Sequence, residues 1–122
     1  MNGWRDKEEF KSRVLEWADR LGVEVRFLAI RPMRHKWASC SLQGNLNFNA
    51  ALLHFDRGVG DYVIVHELLH FSVPNHGKLW KSLMRAYLGD YERQQQSLDR
   101  SLRLEERRTG WRPRRRGSTE DL

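Results

Sequence analysis

The chain predicts an α+β domain, on three observations. Apolar residues recur with helical spacing near the N-terminus and again in the C-terminal half, a central stretch alternates with period two, and one helix-length segment is apolar on nearly every face. At 122 residues the chain has room for one hydrophobic core of modest size and not for two.

Asp6-Lys7-Glu8-Glu9 is a capping-box pattern. It opens a helix whose Phe10, Val14, Trp17 and Leu21 fall on one stripe before Gly22 closes it. Val23 to Ile30 reads as a strand with one buried face. Trp37 to Leu42 and Leu46 to Asn49 alternate on either side of Gln43-Gly44-Asn45, which predicts a hairpin and a short antiparallel sheet. From Val59 to Val73 almost every residue is apolar, with Asp61 as the expected N-cap and Pro74 as the stop, so this helix belongs in the interior. Trp80, Leu83, Met84, Tyr87 and Leu88 predict an amphipathic helix over Gly77 to Leu88, ended by Gly89. Tyr91 to about Arg108 is mostly polar, with Leu98, Leu102 and Leu104 as anchors, and predicts a peripheral helix. The domain is therefore expected over 1–108, and 109–122, rich in Gly, Pro, Arg and Ser, is expected to be a disordered Arg-rich tail.

The interior helix carries His66-Glu67-Leu68-Leu69-His70, with His76 shortly after its end. Histidines at i and i+4 share one helical face, so both imidazoles can reach one cation. Glu67 lies about 100° around the helix, close enough to serve a water on that cation without being a ligand. A shuffled chain of this composition would contain the pattern in roughly one or two cases per hundred, and the third histidine and the apolar setting lower that rate. His66, His70 and His76 are thus candidate zinc ligands and Glu67 the candidate catalytic base. Three protein ligands leave a tetrahedral Zn²⁺ one open position, which is the mark of a catalytic site rather than a structural one.

Composition sets further limits. No apolar run is long enough to cross a bilayer, and Met-Asn-Gly-Trp-Arg-Asp-Lys-Glu-Glu lacks the apolar centre of a signal peptide, so a cytoplasmic protein without membrane contact is expected. Cys40 is the lone cysteine, which fits a reducing compartment and a small buried side chain. The formal charge is +6, and residues 93–122 hold nine Arg against five acids. Trp111 with Arg112, Arg114, Arg115 and Arg116 has the chemistry to contact nucleic acid, although Glu105, Glu106, Glu120 and Asp121 dilute the patch.

From about Arg31 to Tyr91 the chain resembles the YgjP-like zinc metallopeptidases, relatives of the SprT-like and WLM groups. The resemblance rests on Arg34-His-Lys-Trp-Ala-Ser-Cys40, on Gly44-Asn-Leu-Asn-Phe-Asn49, and on His66-Glu-Leu-Leu-His70 with Pro74-Asn-His76. It departs at Ala38, where the family usually has Gly, and at Lys36, where it has Arg. The resemblance implies a small zincin-like fold, zinc on His66, His70 and His76, Glu67 as the base, and a peptide or protein substrate.

The expected activity is therefore amide hydrolysis by a monomeric zinc metallopeptidase, in which Glu67 takes a proton from the zinc-bound water and delivers it to the leaving nitrogen. Arg34, Lys36, Tyr62, Tyr87 and Tyr91 are oxyanion-stabilising candidates by residue type alone. Two other classes stay open. One is a metal-dependent nucleotide pyrophosphatase that uses Arg31, Arg34 and Lys36, and the other is a non-enzymatic nucleic-acid-binding adaptor built around the basic tail.

Overall fold

The computed structural model describes residues 3–33, 36–41, 43–71, 73 and 77–109, with side chains described to residue 100. In chain order they form α1 (Lys7–Leu21), β1 (Phe27–Arg31), β2 (Ala38–Cys40), β3 (Asn45–Asn49), a 3₁₀ turn (Ala50–His54), α2 (Arg57–Leu69), α3 (Lys78–Leu88) and α4 (Tyr91–Thr109). The α+β expectation holds.

The local chemistry of α1 is as its sequence requires. Asp6 accepts the Glu9 backbone N–H at 2.9 Å, while the Glu9 carboxylate takes the N–H of Arg5 at 2.7 Å, one residue earlier than a reciprocal capping box would have it. Gly22 caps the other end, its N–H reaching back to the last turn. Phe10, Val14, Trp17 and Ala18 are buried, and Leu21 is half-buried against the same core.

The sheet has the order β1-β3-β2 and is mixed, which corrects the expectation of a purely antiparallel sheet. β2 pairs antiparallel to β3 with Ala38 opposite Phe48 and Cys40 opposite Leu46, as the hairpin pattern predicts. β1 instead pairs parallel to β3, Phe27 opposite Asn45 and Ile30 opposite Phe48. The connection from β1 to β3 is long enough to carry β2 outside β3, so β3 rather than β2 lies against β1. β1 also starts later than its apolar pattern predicts. The hairpin turn is closed by Gly44, whose N–H reaches Ser41 O at 3.0 Å and whose φ is +95°. A side chain there would be strained by the backbone conformation and would meet Glu24 O at 2.8 Å.

At the end of β3, Asn49 is a buried hub. Its amide donates to the carbonyls of Met33 and Lys36, and its oxygen accepts from Ala51 N–H, so one side chain ties the β1–β2 connection to the end of the sheet.

α2 begins at Arg57, with Asp56 as N-cap, and not at Asp61. Asp61 sits one turn inside the helix because tertiary partners claim its carboxylate: Arg13 Nε and Nη2 donate to it at 2.8 and 3.1 Å and Trp17 Nε1 at 2.8 Å. The helix also ends earlier than expected, at Leu69, with Phe71 N–H bonding to Leu68 O and Val73 N–H to Leu69 O beyond it. Pro74, the expected stop, lies outside the described residues. α2 packs against α1, β2, α3 and α4, which places it at the centre of the domain. α3 and α4 run where the sequence places them, through buried Trp80, Met84, Tyr91 and Leu98.

Candidate active site

α2 is buried at Val59, at Gly60 and at every residue from Tyr62 to Leu69, so the polar groups it carries stand inside the protein. His66 and Glu67 have no solvent exposure and His70 has 8%. The two imidazole centroids lie 5.0 Å apart with the rings nearly perpendicular. Two imidazoles sharing one tetrahedral cation at about 2.0–2.1 Å from each nitrogen have ring centres about 5 Å apart, so the separation fits a common ion. Neutral imidazoles beside a carboxylate are also the donor chemistry that borderline divalent metals prefer.

His66 and His70 are thus brought together, with Glu67 between them on the buried helix. His76, the third expected ligand, lies outside the described residues. Among the described residues, no group of three or more His, Cys, Asp or Glu side chains is assembled that could hold a metal ion.

β2 reaches this part of α2 directly. The Cys40 thiol lies 3.8 Å from the backbone oxygen of Glu67, a weak contact that seats the strand against the carboxylate-bearing turn. Cys40 is half-buried and packs against the core, close to the small apolar role read from the sequence. Among the described residues β2 pairs within the sheet with β3, at the end of the strand order.

On its far side His66 is walled by aromatic rings. Tyr62, one turn earlier on α2, has its centroid 5.8 Å from the imidazole, and Trp80 of α3 lies 5.2 Å away, edge to face. Tyr91, the first residue of α4, stacks on Tyr62 at 6.4 Å and meets Trp80 edge to face at 5.8 Å. Tyr62 and Tyr91, considered above as oxyanion donors, therefore belong to this buried wall. Tyr87 faces α1 instead, 6.2 Å from Trp17. Lys36 is half-buried with its carbonyl held by Asn49, Arg31 donates to Asn47 Oδ1 at 3.1 Å, and Arg34 lies outside the described residues. Helical spacing could have flagged Tyr62 from its position four residues before His66. No sequence signal joins Trp80 and Tyr91 to that ring.

Among the described residues no helix is long and apolar enough to cross a membrane. The Arg-rich segment 110–122 lies outside the described residues.

Known proteins resemble this chain in sequence and in fold. An uncharacterised protein of Methanocaldococcus jannaschii is 32% identical over 92 residues, which span 71% of this chain and 84% of the relative. The crystal structure of the metallopeptidase zymogen jannalysin, from the same organism, matches with a TM-score of 0.67 at 31% identity and covers 80% of this chain and 99% of its own. The metallopeptidase zymogen abylysin of Pyrococcus abyssi, at 21% identity, shares the fold with a TM-score of 0.60 over 85% of this chain and 98% of its own. A peptidase of this kind uses a metal ion and acts on peptide or protein substrates. The family model described as YgjP-like, metallopeptidase domain, matches residues 4–101, and the chain accordingly belongs to the YgjP-like metallopeptidase family.

Proposed function

We propose that this chain is a zinc metallopeptidase in which His66, His70 and His76 hold the cation and Glu67 is the general base. The observation that carries the reading is the pair of buried imidazoles, 5.0 Å apart on consecutive turns of a helix that also buries Glu67. A bound zinc would supply a Lewis acid for the scissile carbonyl and lower the pKa of its water to near neutrality. The carboxylate of Glu67 then takes the proton of the attacking water and passes it to the nitrogen that leaves. Burial favours this transfer, because a site closed to bulk water strengthens each electrostatic contact within it.

The outer edge of β2 is the natural track for the substrate. An extended peptide laid along a sheet edge gains main-chain hydrogen bonds, and the Cys40 contact sets β2 beside the turn that bears Glu67.

The test compares the wild type with His70→Ala and Glu67→Gln for zinc content and for cleavage of a peptide library. About one zinc per chain is expected in the wild type and in Glu67→Gln, and much less in His70→Ala. Glu67→Gln should lose cleavage by roughly a hundred- to ten-thousand-fold. Undiminished cleavage by Glu67→Gln would remove Glu67 from the chemistry. Release of pyrophosphate from a nucleoside triphosphate, with no peptide cut, would move the same site to the pyrophosphatase class.

A further inference from the structure

Four rings drawn from three helices close a circuit: His66 meets Tyr62 and Trp80, and both of these meet Tyr91. Tyr91 thus stands opposite His66 and touches both of its neighbours. All four residues are buried, so none of these rings can turn without displacing the next. Arg85 adds a lid to the circuit, its guanidinium 5.5 Å above the Tyr91 ring and its Nη2 donating to Glu92 at 3.0 Å.

An imidazole binds a metal through one nitrogen, and its affinity depends on the ring being held in the orientation that aims that nitrogen at the ion. His70 has a different setting. It caps the end of α2 and its imidazole meets that of His66, so orientation imposed on His66 is also passed to its partner imidazole.

Resting on the metal role proposed for His66, we propose that Trp80 and Tyr91 are positioning residues of the metal site: α3 and α4 fix the His66 imidazole through this aromatic circuit and thereby set metal affinity. The helices that follow the motif then have a defined part in the site, through residues that orient a ligand and do not themselves bind the ion.

The experiment measures zinc affinity of the full chain by competition with a chromophoric chelator, in wild type, Trp80→Phe, Trp80→Leu, Tyr91→Phe, Tyr91→Leu and Met84→Ala. The phenylalanine variants keep a ring in place and should stay within about threefold of wild type. The leucine variants should bind zinc about tenfold more weakly, at the lower end of what loss of an orienting neighbour costs a metal site. Met84 is fully buried on α3 and belongs to no ring contact of the circuit, so Met84→Ala should unfold more easily yet keep its zinc affinity. If Trp80→Leu does not fold, the Tyr91 pair decides, since Tyr91 is one ring removed from His66. Leucine variants that bind zinc as tightly as wild type, or a Met84→Ala variant weakened as much as they are, would overturn the positioning role while leaving the metal site intact. A wild-type protein that takes up no zinc would instead overturn the metal reading, and this proposal with it.

Discussion

Two glycines two residues apart on α2 should respond in opposite directions to the same substitution. A Cβ built on Gly60 would stand 2.5 Å from Trp4 Cζ2 and 2.8 Å from Trp4 Nε1, whereas one on Gly58 would meet the amide end of Gln94 at 2.8–3.0 Å. At both positions alanine gains about 1 kcal/mol of helix propensity. At Gly60 the indole must retreat by roughly 1 Å to restore van der Waals distance. Trp4 has little freedom to do so: it is buried, packs edge to face on Phe10 at 4.9 Å, and lies under the Arg57 guanidinium at 5.3 Å. Overpacking of a closed core costs about 1–3 kcal/mol and displacing the indole adds to it, so Gly60→Ala should lose about 1–2 kcal/mol net. Gln94 is half-buried and its amide terminus can swing away, so Gly58→Ala should be neutral or gain up to about 1 kcal/mol. Urea unfolding at constant pH measures both, and heating should show Gly60→Ala melting lower by about 3–5 °C per kcal/mol. Removing the clash with Trp4→Phe in the Gly60→Ala background should recover part of the loss, a positive coupling in the double-mutant cycle. A Gly60→Ala variant as stable as wild type would refute the packing argument.

Asp61→Asn should cost about 1–2 kcal/mol in the same assay, because the neutral amide cannot accept the paired Arg13 donors and the Trp17 N–H together; no loss would mean that this part-exposed pair contributes nothing measurable. Asn49→Ala should cost about 1–3 kcal/mol by stranding the carbonyls of Met33 and Lys36 and the N–H of Ala51, and amide exchange at Ala51 should quicken; unchanged protection there would exclude Asn49 as its partner. The N–H of Arg5 and then the Arg57 guanidinium hold the Glu9 carboxyl below its ordinary value of 4.5, so its stabilisation is present above that pH and lost as pH falls through the lower folded value. Glu9→Gln should therefore flatten the acid limb of the stability curve below about pH 4.5, and an unaltered limb would assign that slope to other groups.

What the sequence made legible was what short-range chemistry decides. Asp6 and Gly22 mark the ends of α1 because capping involves only neighbouring residues, and the His66-Glu67-His70 face follows from helical spacing alone. The start of α2 was misplaced for the opposite reason. Gly58 and Gly60 lower helix propensity and Asp61 is a good cap in isolation, so a local reading delays the helix to Asp61. In the fold, Trp4 and Gln94 occupy the space those glycines leave, and Arg13 and Trp17 hold Asp61. Parallel pairing of β1 with β3 is equally non-local, since the alternation within a strand does not identify its neighbour.

These contacts divide α2 by task. Its first half is fixed by shape and charge, through Trp4 against Gly60, Gln94 against Gly58, and the Arg13–Asp61–Trp17 bonds. From Tyr62 onward it meets Tyr91 and Trp80 through the ring circuit, and β2 through Cys40. A rise of 1.5 Å per residue sets Asp61 about 7.5 Å along the axis from His66, and the two side chains point about 140° apart. Anchoring and chemistry therefore use different faces as well as different turns. A helix held rigidly at one end can present apolar-buried histidines and a glutamate at the other without relying on those groups for its own stability. In a domain with a core this small, that separation lets the polar site sit inside the protein instead of at its rim.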